Sequence, residues 1–405
     1  MSTTRKIDRQ PHPRKGRILG LSSALLLSTA GLLVAQVPNP QLAALPDGQW
    51  SALPSSAMTS VGAMDIACCD YSIGCELPGI FSYSGATLDT DRRRIVLWGG
   101  GHNDYFGNQL LAFDLNDLSW DLVTPPTSVC QFSTTPGYRY LNGDPVSRHT
   151  YDHLDYIEHL GLFFAYSGAT ADAPPFNNGS SYGDLWTFDF ESAAWTDRTA
   201  LQSGDIDYWL SQPGASGEYD PQADLWFQLS AQGIWSLDFS NHAWSLVNDD
   251  GPPGIERVSV LDPTRRWIWS YGGDYGGDDN LSAYDIDRNQ FRIVSAENLP
   301  GNTSGAGLAY DAVNDQLVLF GGSASGSVFN YDIEGATWTE YAPSGGPNGS
   351  PVYGRVLYDE VNNVFFLIDS VERVWVWKNT LGNSSSIFSD GFESGDLEGW
   401  DGSSS

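Results

Sequence analysis

The chain has 405 residues, with 50 Asp and Glu against 20 Lys and Arg, a formal net charge of −30, and 13% aromatic residues. A surface this acidic repels nucleic acid, whose binding depends on Lys and Arg neutralising phosphates. It also disfavours anionic membrane surfaces and suits a soluble life in salt or in a medium rich in divalent cations.

Residues 1 to 17 carry Arg5, Lys6, Arg9, Arg14, Lys15 and Arg17 against Asp8, and Ile18 to Ala35 is apolar with small residues. That layout predicts a secretory signal peptide over residues 1–35, and hence a secreted or periplasmic chain. Leu33, two positions before Ala35, makes the cleavage signal imperfect, and an 18-residue apolar run just reaches spanning length, so a retained N-terminal membrane anchor is the alternative. Cleavage leaves 14 basic against 49 acidic residues, a net of −35, and no membrane-binding segment; Lys378 is then the only lysine.

Gly48 to Leu53, GQWSAL, reads as a lone strand with no partner near it in sequence. A long connection over 55–80 follows, holding Cys68, Cys69 and Cys75, and Cys130 lies in a second long connection, 121–147. An even cysteine count in an exported chain predicts disulfides, and four cysteines allow three connectivities. A link from Cys130 to the 68–75 region would staple the segment that enters the first repeat to the segment that leaves it.

From residue 81 a repeat takes over. Gly99 to Trp120, GGGHNDYFGNQLLAFDLNDLSW, is its clearest instance: glycines close an apolar run, a polar loop follows, and a second apolar run ends in Asp114, six residues before Trp120. The same interval separates Asp189 from Trp195, Asp238 from Trp244, Asp285 from Phe291 and Asp332 from Trp338. A second ruler of ten residues joins Asp89 to Gly99, Asp262 to Gly272 and Asp311 to Gly321. Runs of four to six β-branched and aromatic residues between Gly, Asp and Asn predict four short strands per repeat, and a period of this size means a solenoid or a propeller. The regular aspartates are too periodic to be catalytic and are expected to cap turns, and the strand-four tryptophans belong to the core.

A double glycine after strand two, an aromatic-Asp pair in strand three and a Trp in strand four resemble kelch repeats. Tyr271-Gly272-Gly273 to Phe291 and Phe320-Gly321-Gly322 to Trp338 match best, whereas Leu229-Ser230 and Ile368-Asp369 replace the double glycine in two blades. The resemblance covers about residues 49–379. It implies an all-β, six-bladed kelch-like β-propeller of the galactose oxidase/kelch-like superfamily, in an exported bacterial protein. The blades fall at 81–123, 148–199, 216–248, 255–298, 303–341 and 350–379, the last completed by residues 49–54. Closing the ring with that N-terminal strand removes two exposed sheet edges. A seven-bladed ring, with 121–147 hiding a degenerate strand pair, is the alternative. Kelch propellers host binding modules and enzymes alike, so the fold does not name the function.

Blade topology sends the loops between strands two and three, and the connections between blades, to one face, here called upper. These segments are the long and variable ones, where function usually sits. Between the first two blades they bring together His102, Asn103, Asp104 and Tyr105 with Arg148 and His149; Tyr105, Phe106 and, in the fourth blade, Tyr275 are expected to contact ligand. His149 and His153, four apart on a strand, cannot share one zinc ion, so a metal site there would need His102 with one of them. Asp274, Asp278, Asp279 and Asn280 form an oxygen-rich loop suited to calcium, though without the spacing of an EF-hand. Copper enters only by likeness of fold to galactose oxidase, whose ligands do not match residue by residue. His159 and His242 read as solvated turn residues.

No Ser-His-Asp set, phosphate loop or CxxC pair is present. The expected function is a monomeric module binding carbohydrate or protein through the upper face; the alternative is a metal-dependent oxidoreductase or sugar-modifying enzyme using His102 with Arg148 or His149. Residues 380–405, including IFSDGFESGDLEGW, are polar and read as a flexible tail.

Overall fold

The computed structural model describes residues 37–61, 74–128, 139–170, 183–206, 214–272, 279–301, 305–321, 326–347 and 351–379. The leader over 1–35, the tail, Cys68, Cys69, Cys130, Asp274, Tyr275 and Asp278 lie outside them. No described helix is long and apolar enough to cross a membrane.

Six four-stranded antiparallel units stand in a ring. Blade 1 runs Ala86–Asp89, Arg94–Leu97, Leu110–Asp114 and Ser119–Thr124 from the inside outward. Blade 2 begins at Leu154–Ile157, blade 3 at Ser216–Asp220, blade 4 at Val258–Asp262, blade 5 at Gly307–Asp311 and blade 6 at Val356–Asp359. Each innermost strand neighbours the next, and that of blade 6 meets that of blade 1. The count is six, not seven.

The rulers have a physical origin in the turns. Each ruler aspartate ends its strand, and its carboxylate accepts the backbone N–H two or three residues on: Asp114 from Asn116 and Asp117, Asp189 from Glu191 and Ser192, Asp332 from Glu334 and Gly335. A residue in the left-handed region then closes the turn (Leu118 at φ 53°, Ala193 at 51°, Ala336 at 50°) and fixes the register, so that Phe113 pairs with Trp120 and Phe188 with Trp195. Asp89, Asp262 and Asp311 do the same between strands one and two. The turn thus sets where the tryptophan falls. Trp120, Trp244 and Trp338 are buried between blades, where truncation to alanine costs roughly 3–5 kcal/mol.

Blade 6 has its outermost strand from the N-terminal side. Trp50–Ala52 pairs antiparallel with Trp375–Trp377, placing Trp50 opposite Trp377. Gly48 N–H donates to Lys378 O at 2.7 Å and Leu53 N–H to Val374 O at 2.9 Å, extending the ladder at both ends. Beyond it, Ser56 accepts from Val374 N–H with its hydroxyl and from the Trp120 indole with its carbonyl, tying the seam to blade 1. Blade 3 gains an unexpected fifth strand, Ser203–Gly204, parallel to its outer edge; the incoming connection covers an edge that would otherwise be open.

Candidate functional site

The upper-face loop of blade 1 is built by glycine. Gly101, at φ 77°, turns the chain so that Gly101 N–H donates to Tyr105 O at 2.6 Å, and a Cβ on it would run into the backbone of Arg148. The loop is therefore clamped against the segment that enters blade 2. That segment is not the start of strand one, as its sequence suggested. Arg148–His149 pairs instead with Ala169–Thr170 in a small separate sheet, Tyr151 adopts a left-handed conformation at φ 47°, and strand one starts at Leu154.

Of the six residues expected together between blades 1 and 2, the loop keeps His102, Asn103 and Asp104 toward the surface and takes Tyr105 inward, along with the neighbouring Phe106. Asp104 and His149 meet directly, carboxylate to Nε2 at 2.8 Å, and the His102 ring lies 5.5 Å from that of His149. Asn103 is exposed beside them. Tyr105, expected at the surface, is fully buried: its hydroxyl accepts from Gln109 Nε2 at 2.5 Å and its carbonyl from the Ser147 hydroxyl at 2.7 Å. Phe106 is buried as well, its carbonyl accepting from the Tyr140 hydroxyl. Polar neighbours made this stretch read as a surface turn, but Gln109 and Ser147 are themselves buried and satisfy the hydroxyl and carbonyl of Tyr105.

Arg148 is 1% exposed, with its guanidinium donating to Asp184 at 2.5 Å and to Val146 O and packing over the Trp98 ring. Its counterparts Arg257 of blade 4 and Arg355 of blade 6 are equally buried. Arg257 donates to Pro253 O, Ser270 O and Asn280 O, and Arg355 to Phe81 O, Ser84 O, Pro351 O and Ile368 O. Burial lowers both guanidinium groups to about 9, so they stay charged at neutral pH. Every second blade thus carries one arginine that gathers the carbonyls of its upper loops, and Arg355 reaches across the seam to blade 1.

Above these arginines lies a cluster that spacing did not reveal. Tyr83, Tyr151 and Tyr353 reach the mouth of the ring from the entrances of blades 1, 2 and 6, all with positive φ (47°, 47° and 39°). Bulky residues rarely adopt this conformation, and such strain collects at functional sites. Tyr83 stacks on His149 with centroids 4.6 Å apart and packs against Tyr353 at 5.3 Å and Tyr151 at 5.8 Å. Tyr353 donates its hydroxyl to Glu256, another left-handed residue (φ 57°), at 3.2 Å. Tyr83 is 40% exposed, whereas Tyr151 and Tyr353 are buried beneath it.

The electrostatics of the cluster are asymmetric. The hydrogen bond from His149 holds the Asp104 carboxyl below its usual range, while burial pushes the His149 imidazole down. At neutral pH the pair is therefore a carboxylate bonded to a neutral imidazole, with Asp104 38% and His149 6% exposed. Burial raises the Tyr353 phenol, which stays protonated as a donor to Glu256.

Below the mouth, Asp152, Asp155 and Glu218 of blades 2 and 3 crowd together, all pushed upward by burial. Asp152 accepts from Ser259 N–H at 2.7 Å on blade 4, and Asp155 from Tyr219 N–H at 2.7 Å. His153 is fully buried among aromatic rings, including Tyr166 and Trp226, and is held neutral there.

Among the described residues no three His, Cys, Asp or Glu side chains are grouped to hold a metal ion. Asp279 lies near Arg257, whose charge it favours. His159 is more engaged than a solvated turn residue, lying 2.7 Å from Asp224, and His242 is partly exposed in its turn. Of the four cysteines, Cys75 alone lies among the described residues. A groove of about 550 Å³ lies elsewhere, between blades 4 and 5, lined by Trp267, Arg292, Ile293 and Tyr331.

No family model matches the chain. A stretch of 285 residues is 24% identical to the leucine-zipper-like transcriptional regulator 1 homolog of Drosophila melanogaster, covering 65% of this chain and 27% of that protein. The chain thus spans about a quarter of the length of the relative it matches. The molecule is a six-bladed β-propeller, and this distant likeness fits the kelch-like character of its blades.

Proposed function

We propose that the protein is a binding module for another protein, and that it binds through the upper face at the Tyr83, His102, Asp104 and His149 cluster. The observation that carries this reading is the convergence of three left-handed tyrosines from three blades on one mouth, with only Tyr83 left open to solvent. Holding bulky residues in a sparsely populated conformation costs of order 1–3 kcal/mol each, which packing alone would not call for. The distant relative and the propeller fold support a binding role.

Carbohydrate is the second reading. An exposed aromatic ring flanked by Asn103, Asp104 and His149 is the arrangement that sugars use, a flat apolar face with a few placed polar groups. An enzymatic role would rest on the Asp104–His149 pair with His102 beside it. We further propose that the mature chain is a secreted or periplasmic monomer.

Placing a photo-crosslinking benzoylphenylalanine at position 83, and in a control at the lower-face position 241, tests the face. Protein adducts from 83 and none from 241 support the reading. Adducts only from 241 would overturn it, as would glycan binding that survives Tyr83→Ala.

A further inference from the structure

The upper-face site has a ligand chemistry written into its charges. Three arginines lie beneath the mouth, but each has a carboxylate close by: Asp184 bonds Arg148, Asp279 lies near Arg257, and Asp369 lies near Arg355. Of the exposed guanidinium groups on upper-face connections, Arg139 pairs with Asp197 at 2.6 Å and Arg373 with Glu372 at 2.9 Å. These five guanidinium groups thus each have a carboxylate at hand.

Asp104 at the mouth is placed differently. Asp104 is bonded to an imidazole, and burial keeps that imidazole neutral, so the pair retains a full negative charge at its half-exposed end. Glu256 is bonded to a phenol that stays protonated. Between the two carboxylates lies the aromatic stack, with the Tyr83 ring as its open surface and His149 as its backing. A ring face beside a carboxylate is the surface that attracts an ammonium or a guanidinium, through the ring quadrupole and the charge together. An anionic group would meet the half-exposed Asp104 carboxylate at the edge of the ring. The net charge of −30 adds a long-range field of the same sign, which draws cationic partners from solution.

We infer that the site receives a lysine or arginine side chain presented by a basic peptide segment of a partner protein, with the cation over Tyr83 and its N–H donors on Asp104. This inference rests on the reading of the upper face as the binding surface, and it narrows that reading to one kind of contact.

The test uses the mature chain and fluorescein-labelled heptapeptides of Gly and Ser carrying two central Lys, Arg, Gln or Glu residues, followed by fluorescence polarisation. The expected result is that the Lys or Arg peptide binds about tenfold or more tightly than its Glu counterpart, and weakens as salt rises from about 0.05 to about 0.5 M. Tyr83→Ala and Asp104→Asn should each weaken that binding about fivefold or more, while the remote Asp287→Asn leaves it unchanged and Tyr83→Phe restores it. Thermal melts of all variants separate a lost contact from a lost fold.

Equal or better binding of Gln or Glu peptides overturns the cationic inference; if that binding is still lost in Tyr83→Ala, the upper-face reading stands on its own. Basic peptides that bind Tyr83→Ala and Asp104→Asn as well as the parent show attraction by overall acidity and overturn both. No binding of any peptide at roughly 1 mM overturns the cationic inference.

Discussion

Trp50 and Trp377 lie directly opposite each other in the last blade, 327 positions apart in sequence, with ring centroids 5.4 Å apart. Trp50 also meets Phe320 at 5.2 Å, and its indole donates to Gly326 O at 2.9 Å, so one residue binds the closing strand to both blade 6 and blade 5. Trp50→Ala should therefore cost roughly 3 kcal/mol in urea unfolding, and deletion through Pro54 should produce aggregation from two bared edges. A chain starting at Ser55 that melts cooperatively at the parent temperature would refute this account of closure.

Arg148 is expected to matter for folding rather than for ligand contact. Arg148→Ala leaves Asp184 buried without its partner, and breaking such a pair costs about 3–5 kcal/mol. Adding Asp184→Asn should recover part of the loss. Wild-type stability in Arg148→Ala, with binding gone, would assign it the opposite role.

Tyr83 and Tyr105 should separate cleanly. Tyr105 is fully buried, so Tyr105→Ala should lose roughly 3 kcal/mol or more, as large-to-small core changes do. Tyr83 is 40% exposed, so Tyr83→Ala should cost less, about 1 kcal/mol, while altering ligand binding. Matched melting temperatures for the two variants would contradict the burial difference.

Stability should rise on mild acidification. Asp152, Asp155 and Glu218 have folded-state pKa values raised above the unfolded range, to about 7 for Asp152, so the folded state takes up protons that the unfolded state does not. Their contribution favours folding most below the ordinary carboxylate range and is lost as pH climbs through about 7. Asp104, Asp238 and Asp315 act in the opposite sense, with lowered values whose stabilisation is lost only as pH falls below that range. Urea midpoints should thus increase from pH 8 to about 6.5, below which His149, His153 and His242, whose imidazoles burial holds low, oppose the gain, and Asp152→Asn should flatten the slope. A midpoint that falls over that interval in the parent would exclude this effect.

Non-reducing peptide mapping of exported material should recover Cys130 linked to the Cys68 to Cys75 region. Cys130 found as a free thiol counts against that link.

Much of the ring was legible because its turns are made by residue chemistry at fixed spacing. An aspartate that caps two backbone N–H groups, followed by one left-handed residue, forces the next tryptophan into the blade interface, so Asp114 to Trp120 could be read as a unit. The lone strand at Trp50 was legible for a complementary reason: blade 6 has three strands of its own and a vacant edge. The site was legible only where neighbours in sequence build it, as with Asp104 and His149 across the Gly101 clamp. Tyr83, Tyr151 and Tyr353 share no ruler, since they enter from three blade connections and acquire their role from backbone conformation. The one local hint is glycine close behind, at Gly85 and Gly354. Tyr105 misled because hydrogen bonds to Gln109 and Ser147 let a polar loop fold inward.

The seam also orders events during synthesis. The hydroxyl of Ser56 and the N–H of Val374 that it accepts are 318 residues apart, so the N-terminal strand leaves the ribosome long before its partner exists. Until then blades 1 to 5 can form only an open arc, with the strand at Trp50 unpaired and apolar. Such waiting segments are exposed to wrong partners, and contacts this distant in sequence form late. The lone strand is thus both the latch of the finished ring and the piece a chaperone would have to shield while the ring is still incomplete.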